Sequence, residues 1–464
     1  MDLPLDALAR FAAGMDLSAA PPAVHARLAL LHASVAGALR AVAPGARPEA
    51  AGGLEAAAEA LSTHCLEDLL FGGVPATAAA LGARAAGVQD SAGVLRGTLA
   101  GLEVSGRLGL ALLLAPEPAL VAERAGALGA AVGWAVARGV DEAGLRKVIA
   151  AALAAPGDAP AAVVGVRAAA AALGGAAPAS SAPGLSALGA GAVPLPAAFS
   201  GEGAAWVTLS LAFALSPVRP GARTTVEAVF EILRRHVKAA DKRLRLDQVE
   251  SIAVAGSAAV VRGSVGASDA LHPGSASLGA VVARVFAGHT LDARLWSGPA
   301  PEDVAALDAR ITVLHDPARS LSTAFHRLEV LAPLFSTVPL PVLLRHAVAR
   351  LLPLGQGDLR GLPRVLWAAR LDRLHALRRD APPSLAHAAL EQLQHRGDVE
   401  VRLSTTRGGV WPERRALPEG SPGWSWADTV ARVGARLPPG APDPAAPPPG
   451  DAAAWFAALH GDPR

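Results

Sequence analysis

The stretch "VLRGTLAGLEVSGRLGLAL" (94–112) sets the fold of the first half of the chain. Its apolar residues recur at three- and four-residue spacing, the period of a helix that faces other helices. Asp90-Ser91 is placed to cap it, which predicts a helix over about 91–114. Working outward, "VHARLALLHASVAGALRAV" (24–42) repeats the pattern behind Pro22 at a first-turn position. Further helices are predicted over about 74–87, 117–137 and 141–154, the last capped by Asp141.

Composition agrees with a helical core of small side chains. The chain has 464 residues, 52% hydrophobic and 18% charged, enough for two or three domains. Alanine inflates the apolar share; it favours helix but buries little area per residue. Tyr and Asn are absent, and the only lysines are Lys147, Lys238 and Lys242, a usage that reads as GC-rich codon choice. A formal net charge of +2 leaves no electrostatic footprint for nucleic acid or an anionic membrane. "RVLWAARLDRLHALRRD" (364–380) is the one basic exception and reads as a solvated helix face. Cys65 is the single cysteine, which excludes an internal disulfide and a thiolate zinc cage. The N-terminal "MDLPLDALARFAAG" carries no signal-peptide pattern, and "GLALLLA" (109–115) is too short to span a bilayer, so a cytoplasmic setting is expected.

Residues 174–203, rich in Gly, Pro and Ser, break the helical pattern and read as a linker. Beyond them the texture alternates. A strand is expected over 204–215, an amphipathic helix over 224–244, a strand over 249–256, a helix over 275–287 and a strand over 310–316. Residues 322–397 read as helical, and 399–416 as a hairpin turning at Gly408-Gly409. Helices over 425–437 and 451–461 close the chain. The fold class expected is mainly α with a smaller α+β lid: residues 1–205 and 418–464 as a helical domain, 206–417 as the lid. The amphipathic segments 340–354 and 384–397 are expected to cover the lid or enlarge a homodimer interface.

Three stretches resemble, in order, sequences of the MmgE/PrpD family, the 2-methylcitrate dehydratases and cis-aconitate decarboxylases. "VLRGTLAGLEVSGRLGLAL" matches the helix built around glycine–aromatic–Glu–x–x–x–Arg–Leu, with Leu102 at the aromatic position and Glu103 and Arg107 kept. "AGALGAAVGWAVARGVDEAGLRKVIAAAL" (125–153) matches the next helical pair. "SASLGAVVARVFAGHTLDARLW" (275–296) with "LDARITVLHD" (307–316) matches the lid helix and the strand after it. "ERRALPEGSPGWSWADTVARVGARL" (413–437) is similar to the last strand and the helix that returns to the first domain. The resemblance implies a two-domain architecture with the site in the interdomain cleft, no cofactor, no metal and a homodimer.

Members remove water or carbon dioxide from small polycarboxylates, or invert a centre in them. That chemistry needs cations for the carboxylates and an acid–base pair at the reacting carbon. By resemblance, His64, Glu67 and Asp68 occupy the acidic loop, with Leu69 where a Thr is usual and Phe71-Gly72-Gly73 where a His-Pro is usual. Arg167 lies in the segment that carries the family's first lysine, which is gone. Ser216-Pro217 ends the second lysine motif, where Arg219 and Arg223 are the cations left. On the lid, His272, Ser275 and Ser277 stand at the turn that usually bears a tyrosine. His64, Glu67, Asp68 and His272 are therefore the catalytic candidates; Arg167, Arg219, Arg223, Ser275 and Ser277 are the substrate-binding ones. Each also has an ordinary reading as cap, loop or solvated charge. Arginine clamps carboxylates but cannot exchange protons near neutral pH. Three readings follow: a lyase or isomerase with a rebuilt site acting on a small carboxylate, a catalytically degenerate paralogue that binds a ligand or stabilises a partner, or a helical scaffold with no small-molecule site.

Overall fold

In the computed structural model the described residues are 5–43, 46–50, 52–62, 74–112, 118–155, 157–175, 195–199, 205–213, 215, 216, 218, 220–264, 277–291, 295, 304–336, 338, 339, 341–343, 376, 379, 380, 390–393, 396–446 and 450–461. The fold is mainly helical with one small mixed sheet.

Among the described residues eight helices build the first half: α1 (Leu5–Ala13), α2 (Pro22–Val42), α3 (Gly53–Ser62), α4 (Val74–Ala85), α5 (Ser91–Ala111), α6 (Pro118–Ala137), α7 (Glu142–Ala154) and α8 (Ala161–Leu173). The caps expected from sequence are in place. Asp90 accepts from the Ala92 and Gly93 amides, and Asp141 from Gly144. Each satisfies amides that the first helical turn leaves without intrahelical partners. Helix α6 is the hub, packed by α4, α5, α7 and α8. Its stretch Leu120–Ala137 is apolar and long enough to cross a membrane, and 83% of it is buried inside the protein.

Glycine permits this packing. A Cβ on Gly101 of α5 would lie 2.4 Å from the Gly129 carbonyl oxygen of α6, and one on Gly165 of α8 would lie 2.1 Å from that of Ala127. Backbone meets backbone there, so these helices pack without large side chains between them. Among the described residues the three largest fully buried side chains are Arg84, Arg107 and Arg223.

Arg107 shows what these buried arginines do. It donates to the Ala198 and Ala205 carbonyls at 3.2 and 2.9 Å, beside Glu103 at 3.8 Å. Glu103 in turn accepts from the Val207 and Thr208 amides and the Thr208 hydroxyl at 3.0, 2.8 and 2.7 Å. This corrects the strand expected over 204–215: Val207–Ser210 is a short 3-10 turn. Its amides are spent on a buried carboxylate, so they cannot join a ladder.

The second half contains helix α9 (Pro220–Ala240), strand β1 (Val249–Gly256), α10 (Ala258–Ser264), α11 (Leu278–Gly288), α12 (Val304–Asp308), β2 (Ile311–His315), α13 (Pro317–Val330) and α14 (Ala332–Phe335). Strands β3 (Val399–Thr405) and β4 (Val410–Arg415) follow. The sheet order is β2-β1-β3-β4, with β1 parallel to β2 and antiparallel to β3. The hairpin turns at Gly408, φ +82, as its Gly-Gly pair predicted. Ile252, Val254, Val401 and Leu403 face α9 and α11 in a separate apolar core.

That second core begins at Val218, while Leu209, Leu211, Phe213 and Leu215 belong to the first. The C-terminal helices α15 (Trp426–Gly434) and α16 (Ala452–His460) return to the helical body, α15 against α2 and α16 against α2 and α5. Leu334, Phe335, Leu343, Leu390 and Leu393 also sit in the first core. The described residues of 322–397 therefore bury part of their apolar surface in the helical body, where a lid cover or a dimer interface was expected. The rest of 340–354 and 384–397 lies outside the described residues, as does most of the 174–203 linker.

Helix α16 docks through His32. The Thr98 hydroxyl donates to the Val94 carbonyl, so its oxygen accepts from His32 Nε2 at 2.9 Å. Trp455 and Phe456 pack on the ring at 5.3 and 5.6 Å. Burial, then the Arg84 charge, lowers the His32 pKa to about 3.

Two outcomes test this packing. Gly101→Ala should destabilise by about 1–3 kcal/mol in chemical denaturation, although alanine is the better helix former by about 1 kcal/mol; a neutral or stabilising result would refute the close approach. For His32 the unfolded state gains a proton that the folded state refuses. The His32 contribution to stability should therefore fall as pH drops below about 6.5, by roughly 2 kcal/mol at pH 5, and His32→Gln should remove that part of the slope.

Candidate functional site

The two apolar cores meet along a seam of buried charge. Helix α9 begins there, and its inward stripe (Ala222, Val226, Val229, Leu233) is interrupted by Arg223 and Glu227, one turn apart. Arg223 is fully buried and donates to the Val218 carbonyl at 2.9 Å. Glu227 is 1% exposed. It accepts from Arg415 at 2.7 Å, from the Glu419 amide at 3.1 Å and, at the longer distance of 3.4 Å, from the Ser216 hydroxyl.

Arg415 ends strand β4 and bridges to Glu419 at 3.3 Å, beneath the Trp424 ring. Glu419 pairs with Arg432 of α15. The chain between β4 and α15 thus runs as a strap over Glu227. It is held to the first core where the Phe213 amide donates to the Gly420 carbonyl at 3.1 Å and Arg436 donates to the Leu215 carbonyl. At Gly420, φ +86, a Cβ would fall 2.1 Å from the Phe213 carbonyl oxygen, so only glycine allows this approach.

The electrostatics follow from burial. Loss of solvent and then the Glu419 carboxylate push Glu227 up to about 7, against the pull of Arg415 and Arg223. A carboxyl poised near neutrality beside guanidinium groups can hold a proton, release it at physiological pH and share cations with a bound carboxylate. Among the described residues no group of three His, Cys, Asp or Glu is arranged to hold a metal ion.

Three of the nine residues singled out in sequence are described. Arg223 stands in the seam. Arg167 is on the outer side of α8, 61% exposed and paired with Glu55 of α3. Ser277 caps α11, accepting from the Ala280 amide at 3.1 Å and donating to Asp308 at 2.8 Å. His64, Glu67, Asp68, Arg219, His272 and Ser275 lie outside the described residues. The sequence reading missed Glu227. Its signal was present: a carboxylate four residues after Arg223 on an otherwise apolar helix stripe. Glu419 and Arg432 carried no such signal, because their pairing is made by the returning chain.

The seam makes a pH prediction. Glu227 has a raised pKa in the folded state, so its contribution to stability is full below about 4.5 and is lost as pH rises through 7. Chemical denaturation at pH 5 and pH 8 reads this loss as the difference in slope between the wild type and Glu227→Gln, which cannot ionise, because His32 contributes to the wild-type slope with the opposite sign. An identical slope in the variant would contradict the assignment.

Compared with known proteins, the chain matches no family model and no curated protein.

Proposed function

We propose that the chain is a divergent MmgE/PrpD-type lyase or isomerase. It would dehydrate, decarboxylate or epimerise a small carboxylate by acid–base chemistry without a cofactor. The observation that carries this reading is the seam itself: a carboxyl group near neutral pKa, set among arginines where two apolar cores meet. The mainly helical body, closed by returning C-terminal helices and joined to a small mixed sheet, supports the same reading.

In this proposal Glu227 exchanges the proton at the reacting carbon, and Arg223 and Arg415 hold the substrate carboxylates once the strap 416–424 lifts. His64, Glu67, Asp68 and His272 are the remaining acid–base candidates, and Arg219 and Ser275 are the remaining candidates for binding. The reading takes a homodimer in a cytoplasmic setting. A specific observation favours the second reading, a degenerate paralogue that binds a ligand or stabilises a partner. Glu227, Arg415, Glu419 and Arg432 are already joined to one another, which leaves the seam closed.

Proton NMR in D2O decides between them, with the purified chain and 2-methylcitrate, cis-aconitate and other small di- and tricarboxylates. The family's lysines, His-Pro histidine and lid tyrosine have no equivalents in this sequence. Loss of one placed acid or base costs about 10²–10⁴-fold in rate. Turnover of 2-methylcitrate and cis-aconitate should therefore be far below ordinary enzyme rates. Deuterium exchange or turnover with another carboxylate, lost in Glu227→Gln, supports the enzyme. A thermal shift without exchange supports the binding paralogue, and neither effect refutes both.

A further inference from the structure

The C-terminal half of α9 carries a second feature, independent of the seam reading. A pocket of about 520 Å³ opens between this half-helix, the turn after it and the end of α11. That volume lies in the ordinary range of small-molecule sites. Along α9 its lining repeats at four-residue spacing, Phe230–Arg234–Lys238 and Leu233–Val237, so these side chains form adjacent ridges of one face. Arg243 and His289 close the far side.

The floor is apolar. Leu233 is buried, and Phe230 packs on the second core while still bordering the pocket. The rim is cationic, but not all of its charge is available. Arg234 is paired with Glu231 at 3.2 Å, and Arg235 with Glu413 at 2.7 Å. Lys238 and Arg243 are exposed and make no ion pair among the described residues. Burial and the Arg243 charge hold His289 below the ordinary histidine value, so its ring is neutral at pH 7 and keeps one donor and one acceptor.

The backbone around the pocket is unusual as well. Among the described residues only two non-glycine residues have positive φ: Asp241 at 51° and His289 at 47°. Asp241 ends α9 in the turn that brings Arg243 round, and His289 ends α11. Glycine is the ordinary residue in that left-handed cap and fills it at Gly461, after α16. A chain with 48 glycines nevertheless places a histidine at the cap where the side chain borders the pocket. Cations near a helix C-terminus also favour the helix dipole. The dipole requires neither the apolar floor nor a cation beyond the helix end.

We propose that this pocket binds an organic anion, with an apolar body on Phe230, Leu233 and Val237 and a phosphate or carboxylate head between Lys238 and Arg243. The soluble anion is the intended occupant, because two uncommitted cations match one headgroup and the pocket volume fits a single small body.

The experiment is calorimetric titration of the full chain at physiological salt with phenyl phosphate and, separately, inorganic phosphate. Phenyl phosphate should bind at least tenfold tighter than inorganic phosphate. The paired substitution Lys238→Gln with Arg243→Gln, at exposed positions, should weaken phenyl phosphate at least tenfold. Phe230→Leu should weaken phenyl phosphate while leaving inorganic phosphate unchanged. Equal affinities for the two probes, or binding indifferent to the charge substitutions, overturns the proposal. So does a charge variant that loses thermal stability with unaltered binding, since the cations then serve the helix alone. Co-sedimentation with phosphatidate vesicles that excess phenyl phosphate does not reverse overturns it in favour of a membrane surface.

Discussion

The ion pair between Glu227 and Arg415 anchors a chain of charges that links the second core, to which α9 and the sheet belong, to a helix packed on the first. Glu227 belongs to α9, Arg415 to the last strand, Glu419 to the strap and Arg432 to a helix packed on the first core. Removing one partner of a buried pair leaves the other charge without solvent or counter-ion, typically at about 3–5 kcal/mol. This chain of charges therefore helps to fix the sheet against the helical body. The same arrangement gives one carboxyl a pKa suited to proton exchange. Structure and proposed chemistry draw on a single cluster.

The helical body solves a different problem. Around α6, where alanine and glycine line the contacts, its helices approach until backbones touch. Close approach raises dispersion contact and excludes water without bulky groups. Where larger volume is needed, arginine supplies it. Arg84 lies over Phe456 at 4.1 Å and reaches Glu49 and His460, and Arg107 ties the 3-10 segment to α5. Each guanidinium fills space and also satisfies backbone or side-chain acceptors.

Much of the fold was legible because its signals are local. The helix periods, the aspartate caps at 90 and 141 and the Gly-Gly hairpin all depend on residues within a few positions of each other. The strand expected over 204–215 failed for a non-local reason: Glu103, about a hundred residues away, takes the amides a ladder would have used. The site was less legible. Arg223 was singled out through resemblance, and Glu227 one turn later was visible only as a charge on an apolar stripe. Its raised pKa comes from burial and then from Glu419, neither of which is local to it. The family-based candidates on the acidic loop and the lid turn fall outside the described residues, so the resemblance and the seam support the functional reading separately.

The central claim is that the seam holds a carboxyl group titrating near neutrality. Carbon-13 NMR of glutamate-labelled protein, with Glu227→Gln to assign the resonance, measures it directly. The account predicts a carboxyl signal, absent in the variant, that titrates with a midpoint near 7. A Glu227 signal that titrates near the ordinary 4.5 would show the seam to be a plain ion pair and would contradict the account.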